Sequence, residues 1–257
     1  MFDQPTIYNR LWDPQEYLQE YYSQNFIPDD EEAIQQRLVA FLKSSGRTFR
    51  RAIDVGCGPT VHLHTALAPY VDELHLADYL PENLTVVERW LKDEPDAHNW
   101  DLKIKHVLQL ENGGPVSQSM LEDRKALMRQ KATKLKTCDL RCTSPLGRKE
   151  VYDLVISAYC VDATTDSKHE WHKIVDNLLS LCSANGAVFI VSALKSRSYL
   201  IGGKVFPFAF LDEKDIEQAL IAAGFNLNHI SLETIPIHTW AELAFNNIAI
   251  AIAAKDL

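Results

Sequence analysis

The run Ala52-Ile53-Asp54-Val55-Gly56-Cys57-Gly58-Pro59-Thr60 constrains the fold more than any other stretch of the chain. An apolar strand closing on an acid turns through two glycines, and Val61-His62-Leu63-His64-Thr65-Ala66-Leu67 continues at helical spacing. Glycines at such a turn let the backbone come close to a ligand, and a helix start offers unpaired N–H groups. Glu73-Leu74-His75-Leu76-Ala77-Asp78 then puts a second acid at the tip of the next strand, 22 positions after Gly56. An acid there is placed to grip a ribose. The pattern predicts a nucleoside cofactor. A dinucleotide fingerprint would have a third glycine where Val61 stands, and Pro59 stiffens the turn. The residues therefore favour S-adenosylmethionine, which has an amino-acid end and a ribose but no pyrophosphate, over NAD.

At 257 residues the chain is long enough for one α/β domain with extensions. A net charge of −9 disfavours a nucleic-acid partner, because nothing neutralises phosphates in bulk. The local basic cluster from Arg124 to Lys136 reads as a solvated helix face. Five cysteines with no C-x-x-C spacing, and no signal-like apolar start, read as reduced thiols of a cytoplasmic protein. Cys138 and Cys142 lack a nearby histidine pair, so no metal site is expected, and no apolar run is long enough to cross a membrane.

Asp13-Pro14 opens a helix carrying Tyr17, Leu18, Tyr21 and Tyr22, and a second helix follows the acids after Pro28. Residues 1–48 thus form a helical cap on a core spanning 49–257. Strands are expected at 51–55, 73–77, 103–108, 151–157 and 186–192, and helices at 60–68, 82–93, 119–132, 169–182 and 212–223. This alternation predicts a parallel sheet with crossovers. Residues 225–234 and 247–254 break the rhythm and read as an antiparallel pair at the sheet's edge, making the sheet mixed. Residues 109–137 read as a mostly polar, helical insertion after the third strand. The insertion 194–211, rich in aromatic residues, is placed to wall a substrate pocket.

Several separated motifs, in order, resemble a family of small-molecule methyltransferases. They are Asp13 to Tyr22, the Ile53 to Thr60 turn, Asp78-Tyr79 with Asn83, Trp90-Leu91-Lys92, Cys138-Asp139 before Pro145-Leu146-Gly147, Cys160-Val161-Asp162-Ala163, and Ala193-Leu194-Lys195-Ser196 with Tyr199. The family contains the nicotinamide, phenylethanolamine, indolethylamine and thioether methyltransferases, and the likeness runs from about residue 12 to the C-terminus.

The resemblance implies a Rossmann-like class I fold: a mostly parallel seven-stranded sheet, an antiparallel last strand and an N-terminal helical cap over both ligands. It implies that Tyr17 and Tyr22 lie against S-adenosylmethionine, that Gly56, Cys57, Gly58 and Thr60 hold its amino-acid end, and that Asp78, Tyr79 and Asn83 serve the ribose. Asp139 and Leu140 would flank the adenine, and Ala158 would lie beneath the cofactor. Tyr17, Tyr159, Asp162, Ser192, Ser196, Tyr199 and Phe208 match positions lining the acceptor pocket. His62 stands where the nicotinamide enzyme has a cofactor-contacting tyrosine. Ser192, Phe208 and Tyr159 replace its aspartate, serine and leucine. The cofactor survives these departures, but nicotinamide as acceptor does not follow. The relatives point to a monomer.

Methyl transfer needs a neutral nucleophile aligned with the sulfonium carbon, with positioning and loss of water supplying much of the acceleration. The expected activity is N-methylation of a small amine or azaheterocycle, leaving S-adenosylhomocysteine, with Asp162 and Tyr17 as candidate catalytic residues. Asp162 orienting the nitrogen or taking its proton is one reading; Asp162 as a helix cap is the other. The alternative for Tyr17 and Tyr22 is a role as packing tyrosines, and Phe206, Phe208 and Phe210 could equally be one buried strand face. A thioether or selenide methyltransferase, and a catalytically silent cofactor-binding protein, are the alternatives.

Overall fold

A computed structural model describes residues 4–255, with side chains from Ile7 onward. Three helices open the chain: α1 (Gln4–Leu11), α2 (Pro14–Tyr22) and α3 (Asp29–Ser45). The Asp13 side chain caps α2 by accepting from the backbone N–H of Gln15 (2.7 Å) and Glu16 (3.4 Å). Four acids fill the first turn of α3, complementing its dipole, and Gly46 at φ +61° ends it. The first of these helices was not expected from the sequence.

The core runs β1 (Phe49–Val55), α4 (His62–Leu67), β2 (Val71–Asp78), α5 (Pro81–Leu91), α6 (Asp101–Asn112), α7 (Gln118–Lys131), β3 (Ala132–Thr137), β4 (Tyr152–Ala158), α8 (Lys168–Leu179) and β5 (Cys182–Ala193). A hairpin of β6 (Ser198–Ile201) and β7 (Lys204–Pro207) follows, then α9 (Glu213–Ala222), β8 (Ile230–Pro236) and β9 (Asn247–Ala254). Seven strands form one sheet in the order β3-β2-β1-β4-β5-β9-β8. The first five run parallel, and β9 is antiparallel to both β5 and β8.

Side chains alternate across the sheet, so each face buries its own core. Phe49, Leu74, Leu154, Phe189 and Ile250 pack with Leu38 of α3, Ile104 of α6 and Leu121 of α7 on one face. Ile53, Val155, Val188 and Ala251 pack with Trp171 and Leu178 of α8 and Ile216 of α9 on the other.

Two expectations are corrected. Residues 103–108 lie in helix α6, because Ile104, Val107 and Leu108 recur at helical spacing and bury one stripe while Gly113 at φ +69° stops the helix. The third strand is instead β3, the last six residues of the segment 109–137 that was read as an insertion. It lies at the sheet's edge with none of its residues buried, so it carries no apolar run. Residues 227–229 form a 3₁₀ turn, which delays the start of β8. Among the described residues no helix is long and apolar enough to cross a membrane.

Candidate functional site

Among the described residues, a cavity lies over the carboxyl ends of β1, β2 and β4 and beneath the cap. Every cofactor-side residue named from the sequence lines it, as do Tyr159, Tyr199 and Phe208.

At one end the turn after β1 is bound to β2. The N–H groups of Gly56 (2.8 Å) and Cys57 (3.1 Å) both donate to the Ala77 carbonyl. Gly56 has φ +75°, and a Cβ there would fall 2.2 Å from Cys160 Sγ, so only glycine lets the turn pack against the chain after β4. Gly58, at φ +58°, differs: a Cβ would come no closer than 3.9 Å to Thr60 and 4.0 Å to Tyr17, which leaves its cavity side open. Thr60 Oγ1 closes the turn by donating to the Cys57 carbonyl at 2.9 Å. Behind it, His64 Nε2 of α4 meets Asp54 Oδ2 at 2.5 Å, so this carboxylate, itself on the cavity lining, orders the turn.

Asp78 is buried and receives three donors: Gly58 N–H on Oδ2 (2.8 Å), and Leu80 N–H (2.8 Å) and Asn83 Nδ2 (3.0 Å) on Oδ1. Burial pushes its carboxyl up to about 6 against the pull of these donors. Asn83 in turn accepts from Trp12 Nε1 at 2.8 Å, tying the cap to the carboxylate. His62 and Trp100 stack with centroids 5.0 Å apart, Tyr22 packs at an angle against both, and burial drives the imidazole well below its ordinary pKa, leaving it neutral.

Asp139 forms a two-pronged pair with Arg141 (2.8 and 2.7 Å), whose guanidinium lies 4.7 Å over the Tyr79 ring. Arg141 holds the Asp139 carboxyl below the usual carboxylate range and engages both oxygens that the resemblance assigns to an adenine amine. Leu140 and Ala158 supply apolar wall beside this pair.

The other end of the cavity is aromatic. Tyr199 stacks on Phe208 at 4.6 Å, and Tyr159 on Phe245 at 5.1 Å. Phe206 is buried with them, whereas Phe210 is 38% exposed beneath Arg197, so the three phenylalanines do not share one buried face. Tyr17 lies between the two ends against Trp12 and Tyr21, and burial raises its phenol to about 12.

Three sequence-named acceptor residues lie outside the cavity lining. Asp162 is wholly buried behind it; Oδ2 accepts from the Ala193 N–H (2.6 Å), and its carbonyl accepts from the Ala209 N–H (2.7 Å). Through its carboxylate and its carbonyl together the residue joins three chain segments, and burial pushes the carboxyl up to about 7. Ser192 is fully buried on β5, and its hydroxyl has no protein partner. Ser196 donates to the Ala244 carbonyl at 2.5 Å, fastening the hairpin to the loop before β9.

Sequence reasoning missed Tyr8, Trp12, Asp30, Trp240 and Phe245, all on the cavity wall. Asp30 was hidden in a run of four acids that reads as a helix start. The aromatic pair Trp240 and Phe245 was the signal available for the loop between β8 and β9.

The NNMT/PNMT/TEMT family profile matches residues 2–256. Human nicotinamide N-methyltransferase is 30% identical, over all of this chain and 97% of its own. Human phenylethanolamine N-methyltransferase is 26% identical over 76% of this chain and 68% of its own. In fold, the chain is similar to magnesium protoporphyrin IX methyltransferase of Synechocystis, crystallised with bound SAM, with a TM-score of 0.58, 16% identity and 99% of each chain covered. A whole-chain profile match, a relative at 30% identity and a glycine turn hydrogen-bonded to a strand-tip acid agree: the chain belongs to the NNMT/PNMT/TEMT family.

Proposed function

We propose that this protein is an S-adenosylmethionine-dependent N-methyltransferase acting on a small amine or azaheterocycle, with S-adenosylhomocysteine as the second product. The observation that carries the reading is Asp78, held by Gly58, Leu80 and Asn83 in the same cavity as a separate aromatic chamber. When bound, the cofactor supplies an electrophilic methyl group on a sulfonium centre for in-line transfer to a nitrogen lone pair.

The residues present fit that cofactor. Asp78 offers a carboxylate for the ribose diol, with Asn83 and Tyr79 beside it. The open face of Gly58 admits close approach of the amino-acid end, which Gly56, Cys57 and Thr60 shape. Leu140, Ala158 and the Asp139–Arg141 pair bound the adenine end, and Tyr22 and His62 close the cap side. Tyr17 stands where the two ligands meet. Its raised pKa keeps the phenol protonated, so it contributes shape and a donor without adding a charge. The aromatic walls exclude water, and no protein nucleophile is required. Asp162 acts from behind, positioning the wall through Ala193 and Ala209. A cytoplasmic location is consistent with five free cysteines among the described residues.

Labelled S-adenosylmethionine incubated with a panel of amines, pyridines, thioethers and selenides tests this. Label is expected in N-methyl products; label only in sulfur or selenium products, or in none of the panel, would overturn it.

A further inference from the structure

The acceptor chamber holds one charged group that nothing above uses. Asp30, in the first turn of α3, is buried and lines the cavity. Its Oδ2 accepts from the Tyr159 hydroxyl at 2.8 Å, and its Oδ1 accepts from Trp240 Nε1 at 2.8 Å. Both donors are neutral, and no lysine, arginine or histidine forms an ion pair with Asp30 among the described residues. The nearby Lys103 is paired with Glu31 instead. A carboxylate can accept about four hydrogen bonds, so neutral donors alone, the Glu31 backbone N–H among them, leave it with accepting capacity and an uncompensated charge. Burial accordingly pushes the Asp30 carboxyl up.

The surrounding groups limit what could supply the missing charge. The Tyr8 hydroxyl donates to the Ala163 carbonyl (2.9 Å), so the Tyr199 hydroxyl donates to Tyr8 (2.8 Å). The Tyr21 hydroxyl donates to the Leu200 carbonyl (2.8 Å), and that of Tyr159 to Asp30 itself. Four phenols therefore present rings to the chamber while their protons are engaged by protein. Tyr21 packs 4.9 Å from Trp240, and Tyr159 stacks on Phe245, so aromatic surface lies on both sides of the carboxylate. A chamber poor in free donors, walled with π-faces and holding one buried anion matches a cation and repels an acid.

That cation is not the nitrogen being methylated. A buried carboxylate against a reacting amine favours its protonated form, which has no lone pair to attack with. The charge that Asp30 binds must sit elsewhere on the same molecule.

Resting on the N-methyltransferase reading, we propose that Asp30 anchors a cationic group of the acceptor distinct from the nucleophile. The preferred substrates are accordingly small aromatic amines or azaheterocycles carrying a second, protonated or quaternary nitrogen. Asp30 then sets specificity and takes no part in the displacement. No bond to it forms or breaks.

The test is calorimetry on the full chain loaded with S-adenosylhomocysteine, using 4-(2-aminoethyl)pyridine, its neutral isostere 4-(2-hydroxyethyl)pyridine, and 4-ethylpyridine. The wild type is expected to bind the aminoethyl compound at least about tenfold more tightly than either neutral ring, as a desolvated charge pair requires. Asp30→Asn is expected to abolish that preference while leaving the affinity for S-adenosylhomocysteine unchanged. Equal affinity of the wild type for the three rings would overturn the proposal without recourse to any variant. Retention of the preference in Asp30→Asn would do the same. Failure of the wild type to bind S-adenosylhomocysteine is a separate result, and it removes the methyltransferase reading itself.

Discussion

The two ends of the cavity are built from different materials. The cofactor end is made of backbone: adjacent parallel strands bring Gly56, Cys57 and Gly58 against Ala77 and Asp78, and main-chain N–H groups do much of the holding. The acceptor end is made of side chains sent in from α1, α2, α3, the β6–β7 hairpin and the loop before β9, which meet through phenols, an indole and one carboxylate. A backbone-built end changes only if the sheet changes. A side-chain-built end can be re-tuned one residue at a time with the fold intact. Under the proposed function, the common cofactor and the individual acceptor are handled by separate parts of one wall.

The sharpest way to break this contrast is at Asp78. Asp78→Ala removes an acceptor shared by three donors and the group meant for the ribose. We expect a loss of about 100-fold or more in S-adenosylhomocysteine affinity by calorimetry. An unchanged affinity would mean that the backbone turn alone holds the cofactor. Gly56→Ala should cost about 2–3 kcal/mol of stability in denaturant titration, combining a positive φ with the clash against Cys160. The double variant Gly56→Ala/Cys160→Gly, which removes both the Sγ and the Cβ that the new methyl would meet, should recover the steric share relative to Cys160→Gly alone and leave about 1 kcal/mol. Full recovery would show that the φ is not strained.

Asp162 sharpens the contrast by its pH signature. Its folded-state carboxyl is raised to about 7 from its ordinary value of 3.8, so between about pH 4 and 7 the folded state holds more protons than the unfolded one. Its contribution to stability is therefore present below about pH 4 and is lost as pH climbs to about 7. Asp162→Asn should make the decline in melting temperature over that window shallower than in the wild type. A slope identical to the wild type's would place the titration elsewhere, on Asp78 (about 6) or Glu31 (about 7). The smallest effect is expected from Trp12→Phe, which removes the indole N–H from Asn83. Cofactor affinity should weaken roughly three- to tenfold, the worth of one neutral hydrogen bond.

What could be read in the sequence follows the same division. The glycine turn and Asp78 are legible because strand, turn and acid are local features whose spacing the fold fixes. Asp13 announced its own helix. Asp30 was not legible, because its role depends on Tyr159 and Trp240, 129 and 210 residues away. Asp162 misled for the opposite reason. Its motif context pointed to the pocket, yet the nearest unsatisfied donor was the Ala193 N–H at the end of β5. Residues 103–108 misled through composition, because three apolar residues among lysines fit a strand until Gly113 and the buried stripe of α6 are taken together.

The strand that escaped detection has one more consequence. β3 closes one side of the seven-stranded sheet, and an unpaired strand offers a ladder on which another chain can add. Lys134 stands exposed at its middle and Thr133 and Thr137 flank it, while Lys136 is pinned to Glu150 at 2.6 Å. Ammonium groups there must be stripped of water before any foreign strand could dock. The hydrophilicity that concealed this strand also guards the rim against fibrous growth.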